Sequence, residues 1–185
     1  MDTPFSDPTA AKAALDGLIL AKKLFTELDI QFWLSNGTLL GAIRDKTFIA
    51  HDSDIDIGVW ADTDDNRIKR RFLESGFTLA QEFGAGADGH QLAFFTPGGV
   101  YFDIFFYVRE MGRCWMPLWV SGKYRKMVFP PIEEFTIIEF LGHHFPIPMN
   151  YEAILTANYG DWRTPVPPTE RGGSWNWHES PRNFE

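Results

Sequence analysis

The sequence has 185 residues, of which 44% are hydrophobic and 23% charged, and its formal net charge is −8. Its length suits one globular domain, and its acidic balance excludes a protein that binds nucleic acid over a broad basic surface. No run of about 18 apolar residues predicts a transmembrane segment, and the single Cys114, with no apolar signal segment, favours a reducing, cytoplasmic setting.

The first part of the chain predicts a helix, a strand and a second, shorter helix. Apolar residues recur at helical spacing from Asp7 to Leu28, with Pro8 suited to the first turn. A short strand is expected at 31–34. We then expect a turn at Ser35-Asn36-Gly37 and a brief helix from Thr38 to Arg44.

The middle of the chain predicts strands around one helix. Residues 54–60 alternate as in a strand, and a helix is expected from about 64 to 75, where Gly76 ends it. The following strands are expected near 77–83, 90–96 and 100–108, and the turn Pro97-Gly98-Gly99 joins the last two.

The last third is expected to be rich in strands and to end in a helix. Residues 113–148 predict strands with a hairpin near Leu141-Gly142, and a helix is expected at about 150–158. We expect one domain over residues 1–168 and an irregular tail over 169–185. Helices alternating with strands, together with an antiparallel portion, predict a mixed α/β sheet flanked by helices.

Aspartates stand out on the predicted strand 54–60. Asp54 and Asp56 share one strand face, roughly 6.5–7 Å apart, so their charges repel. A hard divalent cation such as Mg²⁺ would remove that repulsion. Asp103 is the one charge in an apolar predicted strand and would complete a three-carboxylate site if the two strands are neighbours.

The carboxylates alone leave other interpretations open. Paired aspartates at the start of a strand also serve as ligands for loop N–H groups, and Asp103 could instead pair with a buried arginine. The preceding segment favours phosphate chemistry, because Gly37 and Thr38 begin a short helix whose free N–H groups attract anions. Arg44 and Lys46 add cations. Together these features indicate phosphoryl transfer.

Several separated motifs resemble the LicD/fukutin family over roughly residues 15–168. The motifs are Asn36-Gly37-Thr38-Leu39-Leu40-Gly41-Ala42-Ile43-Arg44, Phe48-Ile49-Ala50, Asp52-Ser53-Asp54-Ile55-Asp56, Asp103-Ile104-Phe105, Phe145-Pro146-Ile147-Pro148 and Tyr159-Gly160-Asp161-Trp162-Arg163-Thr164-Pro165. The chain departs from the family pattern at Asn36 for a glycine, Ala50 for a proline, His51 for an aromatic residue and Ser53 for an aspartate. Residues 159–162 could pack on the core or border the donor pocket, and we expect Tyr159 to pack against the core.

The resemblance implies a nucleotidyltransferase-type fold and a metal-dependent phosphotransferase. Such an enzyme moves a phospho-group, such as phosphocholine or ribitol phosphate, from a CDP-activated donor to a sugar or glycan hydroxyl, as in the modification of cell-surface glycans. By resemblance, Asp54 and Asp56 hold Mg²⁺ or Mn²⁺, and Asp103 is a further ligand or the base. Gly37 and Thr38 would position the donor phosphates, and Arg44 would neutralise charge.

Two other functions fit the same residues. One is a nucleotidyltransferase that moves an NMP from an NTP, since one fold serves both reactions. The other is a non-catalytic module that binds a nucleotide, which the retention of all three carboxylates argues against. The sequence determines neither the donor nor the acceptor.

Overall fold

The computed structural model describes residues 3–84, 89–120 and 123–165. Within these ranges the helices are α1 (Pro8–Glu27), α2 (Asn36–Leu40), α3 (Asp65–Glu74) and α4 (Tyr151–Tyr159). The strands are β1 (Phe32–Leu34), β2 (Asp54–Trp60), β3 (Thr78–Gly84), β4 (His90–Phe95), β5 (Tyr101–Glu110), β6 (Arg113–Val120), β7 (Lys123–Phe129), β8 (Phe135–Phe140) and β9 (His143–Pro148). None of the helices in these ranges combines the length and apolar character that crossing a bilayer requires.

The main sheet is mixed, which confirms the predicted fold class. Its strand order is β1-β2-β5-β4-β3, and β6 and β7 continue from the far end of β5. Strands β2 and β5 run parallel, whereas β1–β2, β3–β4 and β4–β5 run antiparallel. Strands β8 and β9 form a separate hairpin at the predicted position. The predicted boundary after residue 168 lies outside the described residues.

The turn expected at Ser35-Asn36-Gly37 is replaced by a direct change from strand to helix. Helix α2 starts at Asn36 and is followed by a π-helical turn at Gly41–Asp45. Asn36 has a φ of 39°, a left-handed value that asparagine tolerates, and the Ser35 N–H before it donates to the Asp56 carbonyl oxygen. As a result, the residues after β1 lie immediately beside the start of β2.

One face of the sheet packs against α1 and α3 through aromatic side chains. Phe72 of α3 lies 5.2 Å from Phe25 of α1 and 5.3 Å from Phe94 of β4, measured between ring centroids. The apolar positions of β2 point into this core, and all three are fully buried, as predicted: Ile55, Ile57 and Val59. Full burial of such side chains stabilises the fold by about 1.5–3 kcal/mol each.

The opposite face of β2 changes from charged to apolar along the strand. Asp54 and Asp56 come first, and Gly58 and Trp60 follow. The Trp33 indole packs directly over Gly58, and its centroid lies 4.8 Å from that of Trp60. An apolar cluster therefore adjoins the aspartates and shields one side of them from water.

Gly58→Ala tests this close packing. A Cβ at this position would lie 2.4 Å from two atoms of the Trp33 ring, so we expect a loss of about 1–3 kcal/mol in unfolding free energy from overpacking. Urea denaturation measures it. In a Trp33→Leu background the same change should cost less, because the clashing ring is absent. Equal costs in both backgrounds would contradict this explanation.

Candidate active site

The pairing of β2 with β5 brings the three predicted carboxylates together. Asp56 lies directly opposite Asp103, and Asp54 lies opposite Tyr101. One carboxylate oxygen from each aspartate lies within 4.8 Å of the others. Asp56 and Asp103 are only 8% and 6% exposed. The condition stated for the three-carboxylate site, that these two strands are neighbours, is therefore met.

Helix α2 holds Asp56 through two hydrogen bonds. The Gly37 backbone N–H donates to Asp56 Oδ2 at 2.9 Å, and the Asp56 N–H donates to Thr38 Oγ1 at 2.8 Å. A Cβ at residue 37 would lie 2.7 Å from Asp52 Oδ2 and 3.2 Å from Asp56 Oδ2. Glycine is therefore the residue that allows this backbone to approach the carboxylates.

A hydrogen bond from β4 orients Asp103. The buried Gln91 side chain donates from Nε2 to Asp103 Oδ1 at 2.7 Å. The sequence analysis did not single out Gln91. The available signal was its polar amide within the otherwise apolar run of β4, but only the strand register shows that this amide faces Asp103.

The surroundings of these aspartates favour their neutral forms when no cation is present. Burial is the main cause that raises the pKa of Asp56 well above its ordinary value, and the charges of Asp54, Asp103 and Asp52 raise it further. Burial raises the pKa of Asp103 to about 7, although the Gln91 hydrogen bond opposes this shift. A cation among the carboxylates would reverse these shifts.

The carboxylates face a cavity of about 460 Å³, a size typical of small-molecule sites. Neither lysine nor arginine is among the described residues that line it. Its lining is Asn36, Gly37, His51, Asp52, Ser53, Asp54, Asp56, Phe83, Gln91, Tyr101, Asp103, Phe105, Leu118 and Tyr159. The described lining is therefore dominated by negative charge, which a bound cation would offset.

Three predicted phosphate-binding residues lie away from this lining. Arg44 forms a two-pronged ion pair with Asp45, at 2.7 Å and 2.8 Å, and its side chain is only 9% exposed. Lys46 is exposed on the loop after the π-helical turn. Thr38 lies beneath the site, bonded to the Asp56 backbone. Their roles with phosphate stay predictions.

Helix α4 closes one side of the cavity. Tyr159 is partly buried and packs against the core, as expected, and it also lines the cavity, the alternative that the sequence left open. Burial, and then the charge of Asp56, raise the pKa of its phenol well above the ordinary value. Asn158 donates from Nδ2 to Asn36 Oδ1 at 3.3 Å and so connects α4 to the start of α2.

Comparison with known proteins agrees with this geometry. The family model described as LicD/FKTN/FKRP, nucleotidyltransferase domain, matches residues 29–150. The chain belongs to the LicD/FKTN/FKRP family. This confirms the resemblance found in the sequence, and the strand pair β2–β5, which carries the three aspartates, lies within the matched region.

Full-length relatives of this LicD-family chain are longer. Human ribitol-5-phosphate transferase FKTN is 32% identical to this chain over an alignment that covers 94% of the chain and 37% of FKTN. The mouse protein of the same name has the same identity and the same coverage. Among solved structures, the lincosamide antibiotic adenylyltransferase LnuA, with lincomycin bound, has a TM-score of 0.54 over 89% of this chain and 96% of its own, at 13% identity. The chain therefore has a nucleotidyltransferase fold and spans little more than a third of FKTN.

Asp103→Asn tests whether burial destabilises the ionised site in the LicD-family domain. Burial raises the pKa of Asp103 from the ordinary 3.8 to about 7 in the folded protein, so folding stability falls as pH rises from about 4 to 7. Asparagine stays neutral and retains the Oδ1 acceptor. With EDTA present, we expect the variant to be more stable than the parent at pH 8, by up to about 4 kcal/mol.

The control for this prediction is pH itself. At pH 4 the parent carboxyl is already protonated in the folded state, so the two proteins should differ little in unfolding free energy. Asp62→Asn, at an exposed position, should show no such dependence on pH. A stabilisation by Asp103→Asn that is equal at pH 4 and pH 8 would contradict the assigned cause.

Proposed function

We propose that this LicD-family domain is a metal-dependent phosphotransferase. It would move a phospho-group, such as ribitol phosphate or phosphocholine, from a CDP-activated donor to a sugar or glycan hydroxyl. The observation that carries the proposal is the cluster of Asp54, Asp56 and Asp103 facing a cavity of substrate size. The activity named for FKTN supports it. The lone, buried Cys114 supports a reducing, cytoplasmic setting for the reaction.

The three carboxylates fit a hard divalent cation. Their oxygens lie close enough to share one ion, and carboxylate oxygen is the ligand type that Mg²⁺ and Mn²⁺ prefer. Burial and the neighbouring carboxylates raise the pKa values of Asp56 and Asp103, and a bound cation would oppose both effects. When bound, the ion would offset the charge of the donor phosphates and polarise their oxygens.

The protein groups would orient and enclose the reactants. Gly37, which lines the cavity and fixes Asp56, would set the position of the donor phosphates. Gln91 would hold Asp103 in one orientation, and Tyr159 would exclude water from one side. Arg44 and Lys46 stay proposed contacts for the phosphates, reached after rearrangement of their side chains.

The transfer itself exchanges one P–O bond for another. The acceptor hydroxyl oxygen bonds to the phosphorus while the bond from phosphorus to the CMP oxygen breaks, and CMP leaves with the electron pair. The hydroxyl proton passes to a carboxylate of the site. Asp103 is suited to this role if it is not a metal ligand, because its carboxylate lines the cavity and Gln91 holds it in one orientation.

Product analysis tests the proposal. The parent protein is incubated with Mn²⁺ and, separately, CDP-ribitol, CDP-choline, CTP and ATP. We expect CMP from a CDP-linked donor and none after EDTA treatment. Asp54→Asn should lower the rate of CMP release by more than about 100-fold. Loss of a residue that only hydrogen-bonds to a metal ligand typically costs roughly 10–100-fold, and Asp54 is proposed as a ligand itself. The exposed Asp62→Asn is the matched control.

The same experiment separates the alternatives. Release of pyrophosphate from CTP or ATP would show transfer of an NMP unit and overturn the phosphotransferase proposal. Binding of a nucleotide without any product would favour a non-catalytic module.

Metal binding can be measured without any substrate. We expect Mn²⁺ to bind to the parent in a calorimetric titration, and Asp56→Ala to abolish binding because it removes a central buried ligand. Gln91→Leu should weaken binding roughly 10–100-fold, since Asp103 loses the bond that orients it. Equal affinity for Asp56→Ala and the parent would rule out this metal site.

A further inference from the structure

A second cavity of about 280 Å³ lies beside the first and shares part of its lining. Ser53 and Tyr101 line both cavities. The second cavity extends from these residues to the segment around the start of α1, where Thr3, Asp7 and Thr9 contribute polar side chains. The two cavities therefore meet at the Ser53–Tyr101 boundary.

The first wall of the second cavity is fixed to the loop that carries the aspartates. The Phe5 N–H donates to the Asp52 carbonyl oxygen, and the Ser6 N–H donates to that of Ala50, both at 2.8 Å. The buried Phe5 ring lies 4.9 Å from that of Phe48. The segment before α1 is thus held against the loop leading to Ser53.

The opposite wall is the turn between β4 and β5. The Thr96 N–H donates to the Val100 carbonyl oxygen at 2.8 Å, and the Val100 N–H donates to Thr96 Oγ1 at 3.1 Å. Helix α1 approaches this turn so closely that a Cβ on Gly17 would lie 2.5 Å from Thr96 Cγ2. Both walls are therefore fixed by packing, and the cavity is preformed.

The boundary between the cavities lies next to the carboxylates. Tyr101 is directly opposite Asp54 in the parallel register, and adjacent strands are about 4.8 Å apart. Ser53 immediately precedes Asp54 in the chain. A ligand in the second cavity could therefore bring a hydroxyl to the boundary while a donor occupies the first cavity.

The lining of the second cavity suits a neutral polyhydroxy ligand. Three of its residues, Thr3, Thr9 and Ser53, carry hydroxyls, which both donate and accept hydrogen bonds, whereas the Tyr101 hydroxyl donates to Gln81 Oε1. Among its described residues there is neither a lysine nor an arginine, and the carboxylate of Asp7 would repel a phosphate. The N–H groups at the start of α1 are already used, because Asp7 Oδ1 accepts from Thr9 and Ala10.

We propose that this second cavity binds the acceptor, a neutral sugar or polyol, and presents its hydroxyl to the donor across the Ser53–Tyr101 boundary. The inference rests on the proposed phosphotransferase function. The hydroxyl oxygen forms the new bond to phosphorus, the bond to CMP breaks with its electron pair on CMP, and the hydroxyl proton goes to a carboxylate of the site.

Thr9→Trp tests the acceptor cavity by filling it. Thr9 is exposed on α1, and its backbone contact with Asp7 does not depend on its side chain. With CDP-ribitol and Mn²⁺, CMP release and phosphorylated product are measured in buffer alone and with ribitol, glucose or maltose. We expect transfer to the sugar to fall about 100-fold, the effect of a misplaced reactant, while CMP release to water is unchanged.

Lys12→Trp is the matched control, because it adds the same side chain to the exposed surface of α1 at a residue outside the cavity lining. Its transfer rate should equal that of the parent. Asp7→Asn is a second variant that keeps a side chain suited to capping the helix but removes the charge. We expect it to raise the KM for the sugar and to leave the KM for the donor unchanged.

Two readouts separate the acceptor site from the reaction. Transfer by Thr9→Trp at the parent rate would overturn the acceptor site while leaving the phosphotransferase function intact. If the parent releases no CMP from any donor, the proposed function fails. Saturation-transfer NMR with ribitol, glucose and maltose, without a donor, then tests whether the second cavity binds a sugar. A signal lost in Thr9→Trp but kept in Lys12→Trp supports the sugar site; an unchanged signal, or none in the parent, overturns it.

Discussion

The in-register parallel pairing of β2 with β5 is the constraint on which the site depends. It sets Asp56 against Asp103 at buried positions, where desolvation and mutual repulsion both disfavour ionised carboxylates. The rest of the fold therefore supplies the stability that keeps a locally unfavourable arrangement in place, as is common at functional sites.

Short hydrogen bonds from three separate segments hold that arrangement. The start of α2 fixes Asp56 through the Gly37 N–H and the Thr38 hydroxyl, and β4 fixes Asp103 through Gln91. Helix α4 is joined to α2 through Asn158. Because these contacts come from distant parts of the sequence, the carboxylates are oriented before any ligand arrives, which lowers the cost of binding a cation.

Local patterns explain how much of this could be predicted. The alternation in β2 and the helical periodicity of α1 determine which side chains face the core, and a charge inside an apolar strand made Asp103 a candidate partner of Asp54 and Asp56, on the condition that their strands are neighbours. Gln91 was out of reach because its partner depends on strand register, and the choice between core packing and the pocket for Tyr159 stayed open because it depends on how α4 packs. The pairing of Arg44 with its neighbour Asp45 was visible in the sequence, and it competes with the phosphate role predicted for Arg44.

The distribution of charge suggests how two substrates are kept apart. The described lining of the first cavity has several carboxylates and neither lysine nor arginine, so under the proposed function a divalent cation would offset the charge of an anionic donor there. The described lining of the second cavity has hydroxyls and the carboxylate of Asp7, which would repel a phosphate but can form hydrogen bonds to a neutral sugar. Ser53 and Tyr101 border both cavities. The reacting atoms of the two ligands would therefore meet at this boundary.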